Sequence, residues 1–294
     1  MHPPAQQMLE EHARYASASP CNAMTVDVEE HFQVAAFEDR IRRDAWERHP
    51  SRVGLNTGRV LDAFAEHGVR ATFFMLGWVA ERDPSLVRRI VDDGHELASH
   101  GYDHTRATML DRAAFMADVT RTKKMLEDLS GRAVRGYRAP SYSIGARNLW
   151  ALDVLREAGY VYSSSIYPIR HDLYGMPEAP RFAFRLHAGA ILELPVTTVE
   201  VAGRKLPAGG GGYFRLLPYP VYAWALRRVN DRDRQPGIFY FHPWEVDPGQ
   251  PRIDGASLRS RFRHYVNLDT MEVRLRRLLH DFRWGRMDEV FQIA

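Results

Sequence analysis

Residues 55–99 read LNTGRVLDAFAEHGVRATFFMLGWVAERDPSLVRRIVDDGHELAS. Two apolar runs of strand length, 70–76 and 95–99, alternate here with two stretches, 55–67 and 84–92, that carry apolar residues at helical spacing. Each helical stretch stops at a glycine, Gly68 and Gly94, the residue that most readily adopts the left-handed turn after a helix. Pro84 stands near the start of the second, where its missing N–H costs nothing. Strand–helix units in series imply parallel strands joined by crossover helices.

The alternation extends both ways. Upstream, AMTVDV (23–28) is a β-branched run ending in acids. Downstream come a helix at 111–130 closed by Gly131, a strand at 136–139, a helix at 147–158 closed by Gly159, and a strand at 160–164. ILELPV (191–196) and IFYFH (238–242) supply later strands, and 219–230 and 269–283 later crossovers. The class is α/β, and seven or eight such units that close on themselves make a barrel. Periodicity alone leaves an open doubly wound sheet as the alternative. Residues 168–187, rich in Pro, Arg and aromatics, and the glycines 209–212 read as loops. With no internal repeat and no second boundary, residues 21–294 read as one domain and 1–20 as a disordered or extended segment.

Composition narrows the function classes. Apolar residues make up 45% and charged residues 26% of the 294, which is globular rather than disordered. The net charge is only +3 and acids are mixed with bases nearly throughout, which argues against a nucleic-acid partner; the exception is the arginine-rich run 252–263. A single cysteine, Cys21, forms no internal disulfide. No run approaches the ~18 apolar residues of a membrane span, and 1–20 lack the apolar segment of a signal peptide. The expectation is a cytoplasmic protein without an integral membrane segment, and a homo-oligomer remains open.

In a parallel barrel the chemistry sits at the C-terminal ends of the strands. Those ends carry Asp27 and Glu29, His100 and His104, Arg138, and His242. Asp27 and Glu29, two apart on a strand, share a face, so one carboxylate can ligate a cation while the other acts as base. His100 and His104, four apart, complete a two-His, one-carboxylate site with open positions for water and substrate. Arg138, stiffened by Pro140, can hold a carboxylate bidentately. His242 suits a general acid near neutral pH.

TVDVEEHF (25–32), ATFFMLGWVAER (71–82), GHELASHGYDHT (94–105), GYRAPSYSI (136–144) and FYFHPWE (239–245), in this order, resemble the polysaccharide deacetylases (NodB homology, carbohydrate esterase family 4). The subfamily found with exosortase (PEP-CTERM) exopolysaccharide loci is the most similar. The resemblance spans about 22–284 and implies a deformed (β/α) barrel of about seven parallel strands holding a divalent metal ion, commonly zinc. It implies that Asp27 is the catalytic base, that Arg138 orients it, that His100 and His104 ligate the metal, and that His242 is the general acid. Most relatives follow the base at once with a second Asp; here Val28 stands there. Glu29 is therefore assigned as the third ligand, with Glu30 as substitute. Ser163–Ser164–Ser165 stands where relatives often have Asp-Ser-Ser, which leaves open the carboxylate that orients His242. Ser141 stands where they often have Tyr, and its backbone N–H is a candidate for the oxyanion.

The activity so implied is metal-dependent removal of N-acetyl groups from amino sugars of an exopolysaccharide or its precursor. Ser141, Tyr142, Tyr213 and Trp244 are the expected substrate-binding residues. Two alternatives stand beside it: a hydrolase of a cyclic amide or ureide, and a non-catalytic carbohydrate-binding protein on the same fold.

Overall fold

The computed structural model describes residues 8–171 and 174–293. Its strands are β1 (Leu9–Glu10), β2 (Asn22–Val28), β3 (Thr72–Met75), β4 (Glu96–Ser99), β5 (Gly136–Tyr137) and β6 (Tyr162–Ser163). They continue with β7 (Phe184–Arg185), β8 (Leu192–Glu193), β9 (Thr198–Val201), β10 (Arg204–Pro207), β11 (Ile238–Phe241) and β12 (Trp284–Gly285). One sheet runs β1-β7-β8-β6-β5-β4-β3-β2-β11, with β12 also on β2, and β9–β10 form a separate hairpin. From β8 to β11 every neighbouring pair is parallel. These are the seven apolar runs expected as barrel strands, and the outcome is a deformed α/β barrel. All of β2 is buried, as in a parallel strand covered on both faces.

The seam between β8 and β11 is not a regular ladder. The Tyr240 N–H donates to the Gly209 carbonyl (2.7 Å), and Gly210 forms an isolated parallel bridge with Tyr240. A Cβ on Gly209 would lie 2.7 Å from the Ile238 carbonyl oxygen, so the seam closes only on a bare glycine backbone.

The helices follow the punctuation. Asp83 accepts the Leu86 N–H (3.0 Å) at the start of Pro84–Asp92, and Asp111 accepts the Ala114 N–H (2.8 Å) at the start of Arg112–Ser130. Gly131 closes the latter at φ 64°.

Two loop expectations need correction. The glycines 209–212 are not all loop, because Gly211 opens the helix Gly211–Leu216. The reason is spatial: a Cβ on Gly211 would collide with Glu245 Oε1, so glycine admits that carboxylate to the helix start. The stretch 168–187 contains β7; of it, residues 172 and 173 lie outside the described residues. In the segment expected to be disordered or extended, β1 pairs antiparallel with β7, and buried Tyr15 meets Phe291 edge-on (5.3 Å). Residues 1–7 of that segment lie outside the described residues. No described helix is long and apolar enough to cross a membrane.

Candidate active site

Three of the barrel strands deliver a polar residue immediately past their last residue: His100 after β4, Arg138 after β5 and His242 after β11. Glu29 does the same after β2, on which Asp27 is the penultimate residue. Their backbones stay in register beyond the strands. The His100 N–H donates to the Met75 carbonyl, the Arg138 N–H to Ser99 and the Ser164 N–H to Tyr137, each at 2.9 Å. Asp27, Glu29, His100, His104 and His242 all line one cavity of about 210 Å³, together with Ser141, Tyr142 and Trp244.

Arg138 lies beneath that cavity, completely buried. Its Nη1 donates to Asp27 Oδ1 (2.6 Å) and Thr25 Oγ1 (2.8 Å), its Nη2 to Ser164 Oγ (3.1 Å) and its Nε to the Ser164 carbonyl (3.2 Å). The Phe74 ring packs 4.0 Å from the guanidinium carbon. Burial opposes its charge, but Asp27, by its charge and its hydrogen bond, helps to outweigh burial and raise its pKa above the ordinary value. Ser164 thus holds Arg138, and Arg138 holds Asp27. Breaking such a buried pair costs about 3–5 kcal/mol.

Glu29, His100 and His104 bring one ligand atom each to within 4.8 Å of one another. His100 Nδ1 lies 2.8 Å from the Arg138 carbonyl oxygen. A carbonyl only accepts, so Nδ1 carries the proton and Nε2 keeps its lone pair. Burial lowers the His100 pKa to about 4, so the imidazole is neutral, as a ligand must be. His104 Nε2 lies 2.9 Å from Glu29 Oε2, an oxygen that is buried without a hydrogen-bond donor. Burial pushes the Glu29 carboxyl up, yet His104 and His242 pull it down to about 2, so it is ionised. A neutral His100, a second imidazole from His104 and an ionised, under-bonded carboxylate fit a divalent cation of borderline softness.

The loop between the two histidines is pinned by a helix start. The carbonyls of Gly101 and Tyr102 accept the N–H groups of Gly77 (2.9 Å) and Trp78 (2.8 Å). Gly101 turns at φ 75°, and His104 itself sits at φ 58°, where a side chain with a Cβ is strained. Ser141 and Tyr142 are in the same region at φ 54° and 50°. Strained non-glycine residues cluster where geometry serves chemistry.

Glu30, the alternative ligand, is committed elsewhere. It accepts from Ser51 Oγ (2.5 Å) and from the N–H groups of Arg52 (3.0 Å) and Val53 (3.2 Å), at the start of the helix Val53–Glu66. The carboxylate left open for His242 is Glu245. His242 Nδ1 donates to Glu245 Oε1 (2.9 Å), and Arg215 Nε donates to Glu245 Oε2 (2.7 Å). Burial lowers the His242 pKa, but Glu29 and Glu245 outweigh it and lift it to about 9. His242 Nε2 faces Glu29 Oε1 at 3.5 Å, so the imidazole bridges the ligand cluster and the Glu245–Arg215 pair.

Two expected substrate contacts are placed differently. Trp244 lines the cavity, but its indole N–H points at Glu29 Oε1 (3.3 Å) and its ring is stacked between His242 and His264. It positions the ligand set as much as it borders substrate. Tyr213 is on the helix Gly211–Leu216, but Gly212 and Arg215 are the residues of that helix that line the cavity. Sequence reasoning missed Glu245 and Arg215. The available signal was the i, i+3 spacing of His242 and Glu245 past a strand end; nothing marks Arg215 as buried.

Residues 46–163 match the family model Polysaccharide deacetylase, and residues 164–292 match the Domain of unknown function (DUF3473). The chain is 34% identical over 98 residues to a peptidoglycan-N-acetylglucosamine deacetylase from Bacillus cereus, a match covering 33% of this chain and 36% of that protein. It is 39% identical over 100 residues to a chitooligosaccharide deacetylase from Sinorhizobium fredii, covering 34% of this chain and 44% of that one. The matches therefore span less than half of either relative. The fold is similar to the crystal structure of a Mycobacterium smegmatis protein assigned as a polysaccharide deacetylase. There the TM-score is 0.59 at 19% identity, over 94% of this chain and 90% of that one. The site draws on three stretches. Asp27 and Glu29 precede both matches, His100, His104 and Arg138 lie in the first, and Arg215, His242 and Glu245 lie in the second. The segment of unknown function thus closes the barrel with β8 and β11 and brings His242 to the cavity.

Proposed function

We propose that the chain hydrolyses N-acetyl groups from amino sugars of a polysaccharide, with an exopolysaccharide or its precursor as substrate and zinc as the resident metal. We place it in the exosortase-locus subfamily, with 21–294 acting as one catalytic unit in a cytoplasmic setting that needs no disulfide. The observation that carries the reading is the single cavity on which an ion-ready Glu29–His100–His104 cluster, an Arg138-held Asp27 and a Glu245-held His242 converge. The named activities of the partly matching relatives agree with it.

Glu29, His100 and His104 would hold a divalent cation, which when bound would lower the pKa of a water and polarise an acyl carbonyl. Asp27, oriented by Arg138, takes the proton from the attacking water. A backbone N–H near Ser141 donates to the oxygen that becomes negative. His242, protonated and oriented through Nδ1 by Glu245, gives the Nε2 proton to the departing sugar nitrogen. The C–N bond breaks, and acetate and a free amino sugar leave.

The test is acetate release from N-acetylated amino-sugar oligomers by chelator-stripped protein, before and after zinc is restored. Release that returns with zinc supports the reading. A fully metal-loaded chain that releases no acetate from any such oligomer overturns it.

A further inference from the structure

Beyond His242 the chain runs through PRIDGASLRSRFRHY (251–265), an arginine-rich stretch that the proposed chemistry leaves unused. Between 248 and 268 four arginines stand against a single acid, Asp254. The second half of the stretch is the helix Leu258–Tyr265, capped by Ser257, whose Oγ accepts the Ser260 N–H (3.1 Å).

One face of this helix is anchored. His264 is buried, stacks on Trp244 with ring centroids 4.1 Å apart, and its Nε2 donates to Gln250 Oε1 (2.7 Å). Arg263 and His264 also line the cavity of the candidate active site. The opposite face is apolar and bare. Leu258 is 84% exposed and Phe262 is 58% exposed, and four residues apart they are neighbours on the helix surface. Steps of about 100° per residue set this ridge nearly opposite His264, with Arg259 and Arg261 on its two flanks. Both arginines are exposed, as are Arg252, which packs over the Tyr265 ring (4.1 Å), and Arg40, which reaches the Gly255 turn before the helix.

Two requirements select what covers this face. The arginines call for an anionic partner, and the Leu258–Phe262 ridge, outermost on the helix, calls for an apolar one. A soluble acidic polymer meets only the first. The anionic surface of a bilayer meets both, because acyl chains lie just beneath the phosphates. A ridge projecting between flanking arginines enters the apolar boundary while the guanidiniums stay at headgroup level.

We infer that the helix Leu258–Tyr265 docks this chain on the surface of a bilayer that contains anionic lipid. The other face of the helix borders the reaction cavity, so docking holds that cavity roughly one helix diameter from the membrane. On the proposed deacetylase reading, a glycan still carried on a lipid is then within reach.

The test is flotation of the full chain with vesicles of phosphatidylcholine, alone or mixed with phosphatidylserine, at low and high salt. The chain should float with the mixed vesicles only, and less so at high salt. Leu258→Ser combined with Phe262→Ser should weaken binding roughly tenfold or more. Arg252→Gln combined with Arg261→Gln should weaken it roughly 25-fold, at about fivefold per arginine. All four side chains are exposed, so the thermal midpoint should hold in both variants. No flotation, or flotation that neither variant weakens, overturns the docking. Flotation that only the arginine variant weakens makes the face a patch for soluble polyanions and overturns it too. A dimer in vesicle-free solution that the Leu258 and Phe262 substitutions dissociate assigns the ridge to a second copy of the chain, with the same consequence. The assay involves no turnover, so its failure leaves the proposed hydrolysis standing, and failure of the hydrolysis leaves the docking standing.

Discussion

Glu245→Gln is the most informative single change, because it keeps shape and removes one charge from the centre of the His242–Glu245–Arg215 chain. In the native protein one carboxylate oxygen accepts from His242 Nδ1 (2.9 Å) and the His242 backbone N–H (3.1 Å), while the other accepts from Arg215 Nε (2.7 Å). An amide has one acceptor oxygen, so its NH₂ must face either the imidazolium or the guanidinium, and one contact is lost. A hydrogen bond to a charged group contributes about 1.5–3 kcal/mol, so turnover should fall roughly 10- to 100-fold. Arg215, fully buried and still bonded to the Arg263 and His264 carbonyls, loses its counter-charge, so stability should fall by about 3 kcal/mol. The carboxylates keep His242 in its acid form to about pH 9 in the native site, so the substitution should move the alkaline limb of the rate profile to lower pH. The assay is acetate release against pH with zinc content measured in parallel. Unchanged turnover and an unchanged alkaline limb at equal zinc content would show that Glu245 does not position the acid.

Other expectations follow from the same geometry. Asp27→Asn should lower turnover by roughly 10²–10⁴ with the metal retained, checked by rate and metal analysis on one sample. His104→Ala should lose bound zinc after dialysis, which metal analysis reads directly; full occupancy would remove His104 from the ligand set. Gly211→Ala should cost about 1–3 kcal/mol in denaturant unfolding and lower turnover, because its Cβ would meet Glu245. At the opposite end of the barrel, burial and then Asp288 raise the Glu96 carboxyl to about 7. A folded pKa above the unfolded one means that stability falls as pH rises from about 4.5 to about 7 and then levels. Glu96→Gln should flatten that part of the unfolding-versus-pH curve, and an unaltered slope would exclude Glu96 as its source.

The barrel was legible because its strands are short apolar runs between helices that glycine closes, and each run from 22–28 to 238–241 became a parallel neighbour of another. The site was legible at strand ends, where topology alone gathers Asp27, Glu29, His100, Arg138 and His242. What stayed hidden depended on contacts across the chain. Glu29 and Glu30 are adjacent carboxylates in the sequence, and only the packing of 51–53 against Glu30 separates a helix cap from a ligand. Arg215 and Glu245 form a buried pair thirty residues apart, and an arginine's burial leaves no periodic trace. The glycines at 209–212 read as a flexible stretch, whereas the seam and the Glu245 carboxylate require their bareness. The segment 8–20 looked featureless because its order comes from β7 and Phe291, far along the chain.

The most direct test of the central claim is a zinc titration of the stripped protein with acetate release read at each point. The account predicts activity that rises linearly and plateaus at one ion per chain, and that Glu29→Gln abolishes at that stoichiometry. Acetate release without any metal, or one tightly held ion per chain with no release, would contradict it.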